Sequence, residues 1–254
     1  MKFHITLFFL ISPFFGYTQS KKISNYWYLS IDTLTELRRV DTLYIKKAIL
    51  TLSKDSNITK ANDLFDEVYE SNWKSYITYL NAGTCIKVFD NVQNKFNLNN
   101  EESFQLLIRR GVCKYIYKKY FEAIIDLNSA IKLKPSNGYS FWYRGLCKQA
   151  LSDHYGAIID FSDGLEKSDS DDNYLKINTY LNMAQSHEIL KNNFAAINNY
   201  NKLIELSPSE CSFYFERGKL KLIEMKKVDA CLDLSKSGEL GCKEAYSLIR
   251  QFCN

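Results

Sequence analysis

The chain has 254 residues, 46% of them hydrophobic, which is enough apolar material for a sizeable core. Its 33 Lys and Arg stand against 29 Asp and Glu with the signs interspersed, a balance that gives no footing to nucleic acid or an anionic bilayer as a partner. Only three prolines occur, which argues against a Pro-punctuated β fold and for long helices.

The opening MKFHITLFFLISPFFGYTQSKK places a cation at Lys2 and then an apolar run over residues 5–15. That run is too short to span a bilayer. Gly16 and Thr18 are small residues at signal-peptidase spacing, so residues 1–18 read as a signal peptide cleaved before Gln19. The expectation is an exported chain, periplasmic or secreted. No later apolar run reaches ~20 residues, so it should not be an integral membrane protein after cleavage. No cysteine lies near the cleavage point, which argues against a lipid anchor. Residues 19–40 are expected to form an N-terminal arm. Residues 43–52, 61–69 and 73–92 look helical, so 41–103 are expected to hold degenerate helical hairpins.

From residue 104 the sequence repeats itself. AIIDLNSAIKLKP begins at Ala123 and AIIDFSDGLEKSD at Ala157, 34 residues later. In the same register Gly111 falls under Gly145, Cys113 under Cys147, Asp126 under Asp160 and Leu127 under Phe161. Upstream of each phrase lies an amphipathic run, FQLLIRRGVCKYIY and then SFWYRGLCKQAL, so each unit reads as helix, turn, helix. NNFAAINNYNKLIELSP and VDACLDLSKSGEL supply two further copies, with Ala196 and Ala230 at the site of Ala123. The units are 104–137, 138–171, 177–210 and 211–244. A two-helix unit of this period resembles the tetratricopeptide repeat. The resemblance implies an all-α, right-handed superhelical solenoid of antiparallel hairpins. It also implies a non-enzymatic scaffold that receives a protein or peptide on a concave face.

Small residues recur at two sites per unit: Gly111, Gly145, Ala184 and Gly218 in the first helices, Ala123, Ala157, Ala196 and Ala230 in the second. They are expected to let the two helices cross closely. Gly164, Leu203 and Ser237 depart from the small residue the first unit has at Ala130. The second unit lacks the closing proline and runs through EKSDSDDN into an insert at 172–176, where a longer loop or altered curvature is expected.

KEAYSLIRQF spaces Ala245, Leu248, Ile249 and Phe252 along one face, so residues 243–254 read as a capping helix over the last unit. Packed antiparallel to the preceding helix, its end would bring Cys253 toward Cys231, a possible disulfide. Cys211 with Cys242 is a second candidate, with buried thiols as the alternative. The seven cysteines include no C-x-x-C, which removes zinc-ribbon and thioredoxin readings.

The polar pattern is a covariation. Arg110, Arg144 and Arg217 precede their unit's glycine, and Asp126, Asp160 and Asp233 lie 16 residues further on. The third unit has Met183 and Asn199 instead, losing both charges together. Structural ion pairs between the two helices explain this. A row of ligand-binding arginines is the alternative, but it would not require the aspartate to vanish with the arginine.

His154 and His187 stand beside no nucleophile or second metal ligand, and no phosphate loop, GxSxG or HExxH occurs. Asp169, Asp171 and Asn173 lack the turn glycine and final glutamate of a calcium loop. Neither a catalytic residue, a metal nor a cofactor is expected.

In the resembled family the first helices line the concave surface. By helical phase that surface should here present Gln105, Arg109 and Val112 from the first unit, and Tyr139, Trp142 and Tyr143 from the second. The third unit contributes Asn178, Asn182 and Gln185, and the fourth Ser212, Phe215, Glu216 and Lys219. Some of these aromatics could equally be inter-repeat core. Ile108, Val112 and Tyr143 stand where family members that clamp a C-terminal carboxylate use polar or charged side chains, so that clamp is not expected. Aromatics with scattered amides suit a mixed polar and apolar protein partner. A carrier or sensor of a small ligand such as a glycan is the alternative for the same groove.

Overall fold

The computed structural model describes residues 97–169 and 171–253, together with 86, 87, 89, 90 and 92–94. The expected signal peptide at 1–18, the arm at 19–40, most of 41–103, and Cys85 lie outside the described residues.

Helices follow one another in pairs: α1 (Asn100–Ile116) and α2 (Tyr120–Leu133), α3 (Gly138–Ala150) and α4 (His154–Glu166). Next come α5 (Asn173–Ile189) and α6 (Asn193–Leu206), α7 (Cys211–Ile223) and α8 (Lys227–Glu239), then the single α9 (Ala245–Phe252). No strand occurs among the described residues. The two helices of each pair pack on each other, and each second helix packs on the next first helix, which makes an all-α helical-repeat solenoid. Direct contacts also join α1 to α3 and α3 to α5, while α2, α4, α6 and α8 have no comparable contact with one another. The first helices therefore line the inner side of the stack and the second helices its outer side.

Local chemistry fixes the helix ends. At α1 the Asn99 side chain accepts from the Glu102 N–H while the Glu102 carboxylate accepts from the Asn99 N–H, both at 3.0 Å. Asn137, Asp153, Asp172 and Asn192 cap α3 to α6 by accepting an N–H three residues on. Within each hairpin one residue adopts the left-handed conformation at a matched site: Lys118, Ser152, Lys191 and Met225. That residue reverses the chain tightly enough to set the second helix antiparallel to the first.

The junction after the second hairpin differs from a simple inserted loop. Asp172 caps a helix that starts at Asn173, so most of the expected insert is an added first turn; α5 has 17 residues where α3 has 13.

The glycines mark the closest crossings, but the contact falls one turn beyond the matched alanine. A Cβ on Gly145 would stand 2.6 Å from the Phe161 ring, one on Gly111 3.0 Å from Leu127, and one on Gly218 3.1 Å from Leu234. In the third hairpin Ala184 takes this place, within a core cluster that includes Tyr200. Gly145→Ala would gain ~1 kcal/mol of helix propensity. The fully buried Phe161 cannot swing away, and overpacking costs ~1–3 kcal/mol. The expected net result is a loss of about 1 kcal/mol in urea unfolding. An unchanged or raised midpoint would contradict this packing.

The departures at the Ala130 site also have a physical reason, since each matches its partner at the start of the first helix. Gly138 and Gly164 bring backbone against backbone: a Cβ on Gly138 would lie 2.6 Å from the Gly164 carbonyl. Ser237 Oγ donates to the Cys211 carbonyl at 2.9 Å, and Leu203 lies in the cluster against which Ile177 packs.

At the C-terminal end α9 packs on α8, with Ala245 fully buried and Tyr246 Oη donating to the Gly238 carbonyl at 3.2 Å. Two disulfides close this end. Cys231–Cys253 joins α8 to the end of α9, and Cys211–Cys242 joins the start of α7 to the turn before α9. Cys113 and Cys147 are buried thiols in α1 and α3. Burial pushes the Cys147 thiol up to about 12, with the nearby Asp160 adding to the effect.

Candidate partner-binding face

The inner face rests on a ladder of charges. Arg110, Arg144 and Arg217 each grip the aspartate of their own second helix with two donors. The Nη2 contacts are 2.7 Å to Asp126, 2.6 Å to Asp160 and 2.6 Å to Asp233, and Nε lies at 2.8, 2.9 and 2.8 Å. This is the bidentate geometry that suits a guanidinium. A second cation shares each carboxylate: Lys114 at 2.7 Å, Lys148 at 2.9 Å and Lys221 at 2.8 Å. The third donor of each arginine reaches back one helix. Arg144 Nη1 meets Asn128 of α2 and Arg217 Nη1 meets Asn201 of α6, both at 2.7 Å. Arg110 Nη1 meets Asp90 and Gln93 in the helical segment before α1. Every rung thus ties a hairpin internally and also binds it to its predecessor, so the arginines are occupied by the scaffold itself.

Sequence reasoning found the arginines and aspartates but missed the lysines and asparagines. The signal was present. The lysine stands four residues after the arginine in three hairpins, and the third has His187 there. Asn128 and Asn201 occur where the next hairpin has an arginine, while Ser162 occurs where the next has Met183. Burial holds the His187 imidazole below its ordinary pKa, in keeping with a hairpin that has dropped its charges.

The thirteen side chains expected on the inner face fall into three groups. Val112 and Trp142, 5% and 7% exposed, are buried, Trp142 in a cluster with Ala157, Phe161 and Leu175, so they are core and not contact surface. The reason is periodicity: a first helix has the next hairpin on its flank, and that flank lies within one helical step of the open side. Trp142 anchors an aromatic cluster with Tyr143 at 4.8 Å and Tyr139 at 6.4 Å between ring centroids. Burial, reinforced by the neighbouring Asp172, raises the Tyr139 hydroxyl well above its ordinary range.

A second group is half-buried and engaged locally. Gln105 donates to Glu101 at 2.9 Å, Asn178 to the Tyr174 carbonyl and Asn182 to the Asn178 carbonyl, both at 2.7 Å. Ser212 Oγ donates to the Glu210 carboxylate at 2.8 Å. Gln149 was not anticipated. It stitches α3 to α5 by donating to the Asn182 carbonyl at 3.2 Å and to Ser186 Oγ at 3.1 Å.

The third group carries accessible polar or charged atoms: Gln185, Glu216 and Lys219, with Phe215 beside them, whereas Arg109 is partly buried with its Nη1 enclosed. Lys219 pairs with Glu216 at 2.5 Å and lies 5.2 Å above the Phe215 ring. Next to them Tyr200, itself buried, donates to Glu188 at 2.8 Å. Burial pushes the Glu188 carboxyl up; the Tyr200 hydrogen bond opposes this, and the nearby Glu216 adds to it. Glu188 was also missed, because it lies one turn beyond the residues that helical phase selected. Among the described residues no cluster of His, Cys, Asp or Glu could hold a metal ion, and no helix is long and apolar enough to cross a membrane.

No family model matches the chain, and no curated protein matches it in sequence. Solved structures do share its fold. A crystal structure of MamA is 17% identical, covers 68% of this chain and 96% of its own, and superposes with a TM-score of 0.56. MamA from Desulfovibrio magneticus RS-1 is 12% identical over 79% of this chain and 94% of its own, with a TM-score of 0.54. YrrB, a tetratricopeptide-repeat protein with an unusual peptide-binding site, is 13% identical over 87% of this chain and 96% of its own, with a TM-score of 0.53. The chain therefore has the fold of tetratricopeptide-repeat solenoids.

Proposed function

We propose that this chain is an exported, non-enzymatic scaffold, periplasmic or secreted, that holds a protein or peptide on the inner face of its first helices. The observation that carries the reading is the division of labour across that face. The recurring Arg–Asp geometry is spent within the scaffold, while a different set, Gln185, Phe215, Glu216 and Lys219, remains partly open to solvent along the inner side. Mixed charge, an amide and an aromatic ring on one rigid face suit a partner that presents both polar and apolar groups. The peptide-binding site named for YrrB, a protein of the same fold, lends support by analogy.

Affinity capture from an envelope extract tests the proposal. Wild-type chain should retain a protein partner, and Lys219→Glu or Glu216→Lys should weaken its binding by about tenfold or more. Retention unchanged in both variants would overturn the placement on this face. Binding of soluble glycans with no protein retained would replace the scaffold by a small-ligand carrier.

A further inference from the structure

The outer side of the stack has a property the inner side lacks. Phe121, Tyr155, Phe194 and Val228 occupy one matched site near the start of the four second helices and are 73%, 71%, 68% and 74% exposed. One turn further, Ile125, Ile159 and Leu232 are 64%, 61% and 66% exposed, with only Asn198 interrupting the row. Because the hairpins stack in order, the two rows lie side by side and cross all four second helices. Summed over the seven side chains, the open area is roughly 800 Å². The same figure is about what each partner contributes to a standard protein–protein interface.

The surroundings discriminate between occupants. An anionic bilayer would call for a basic margin. The hairpin turns do carry Lys118, Lys119, Lys191, Lys226 and Lys227. However, Glu122, Asp153, Glu224 and Asp229 lie among them, and Glu122 pairs with Lys119 at 3.1 Å. Further along the same helices Lys132, Glu166, Glu205 and Glu239 form a margin of both signs, the polar rim expected of a protein interface. A protein occupant must offer apolar ridges at the spacing of the hairpins, because ridges seat only in grooves of matching period. A second copy of this chain has that spacing by construction. A two-fold axis through the strip sets each copy's rows against the other's, a self-complementary arrangement that closes at two. A net charge of +4 offers little repulsion to oppose it.

We infer that the outer strip from Phe121 to Leu232 is a docking surface for a second copy of the chain, related by a two-fold axis and leaving both inner faces open. Sedimentation equilibrium of the purified chain over a concentration series tests this. A reversible monomer–dimer equilibrium is expected. The pairs Phe194→Glu with Val228→Glu, and Ile125→Lys with Ile159→Lys, should each weaken association at least about tenfold while leaving helical circular dichroism intact. Hydrogen exchange of the unaltered chain at high and low concentration gives a second reading that needs no substitution: protection on association should be confined to α2, α4, α6 and α8. A monomer throughout the series overturns the inference, as does a dimer indifferent to both pairs or one protected on its first helices. So does a monomer that floats with phosphatidylglycerol vesicles, which would assign the strip to lipid.

Discussion

Asp160→Asn is expected to destabilise the folded chain by about 3–5 kcal/mol, as removing one member of a buried ion pair does elsewhere. Asp160 is 1% exposed and accepts from Arg144 through two donors and from Lys148 at 2.9 Å. Neutralising it leaves two cations in a half-buried setting with no anion between them. Arg144→Met should cost less, because Lys148 still neutralises the carboxylate, although Asn128 loses its donor. The third hairpin lacks the rung as a set: Met183, His187 and Asn199 replace arginine, lysine and aspartate together. Arg144→Met with Lys148→His and Asp160→Asn copies that set into the second hairpin, and it should recover most of what Asp160→Asn alone loses. Urea unfolding followed by circular dichroism measures all three variants. A triple variant as unstable as Asp160→Asn would mean that charge pairing is not why these residues change together.

The same rung shows how far the sequence could be read. Spacing and covariation were enough for the hairpins, for the Arg–Asp pairs and for the end cap, because a solenoid repeats its chemistry at a fixed interval and each copy checks the others. Periodicity says less about what faces solvent. Val112 and Trp142 share a helical phase with Arg109 and Tyr139, yet both are buried, Trp142 in a cluster with Leu175 of the next hairpin. The flank of a first helix is decided by the next unit's angle and not by its own sequence. The five residues between the second and third units could not be divided between loop and helix by composition, since EKSDSDDN is polar in either case and Asp172 serves as a cap only once α5 forms. The outer strip was overlooked for a different reason. Apolar residues in an amphipathic pattern are ordinarily assigned to a core, and only the packing reveals that Phe121, Tyr155 and Phe194 are 73%, 71% and 68% exposed.

The disulfides are expected to hold the far end of the stack. α9 is eight residues long, below the length at which a helix persists in water unaided, and Ala245 is its one fully buried side chain. Its place on α8 therefore depends on tethering. Cys231–Cys253 closes a loop of 22 residues, and in the chain-entropy view this contributes about 3 kcal/mol. Cys211–Cys242 closes 31 residues and overlaps the first loop, so losing both should cost less than twice that. Cys231→Ser with Cys253→Ser should lower unfolding stability by about 2–4 kcal/mol and speed amide exchange first in α9 and then in α8. The order matters, because loss of the cap uncovers the flank of the last hairpin before the hairpin itself opens. Reductant applied to the unaltered chain should reproduce the effect. Cys113 and Cys147 do not confuse that comparison, since both are buried and burial keeps the Cys147 thiol protonated at neutral pH. An unchanged melting transition in the Cys231→Ser, Cys253→Ser variant would show that packing against α8 alone seats the cap. In that case the last hairpin would be no more dependent on its clasp than the hairpins before it.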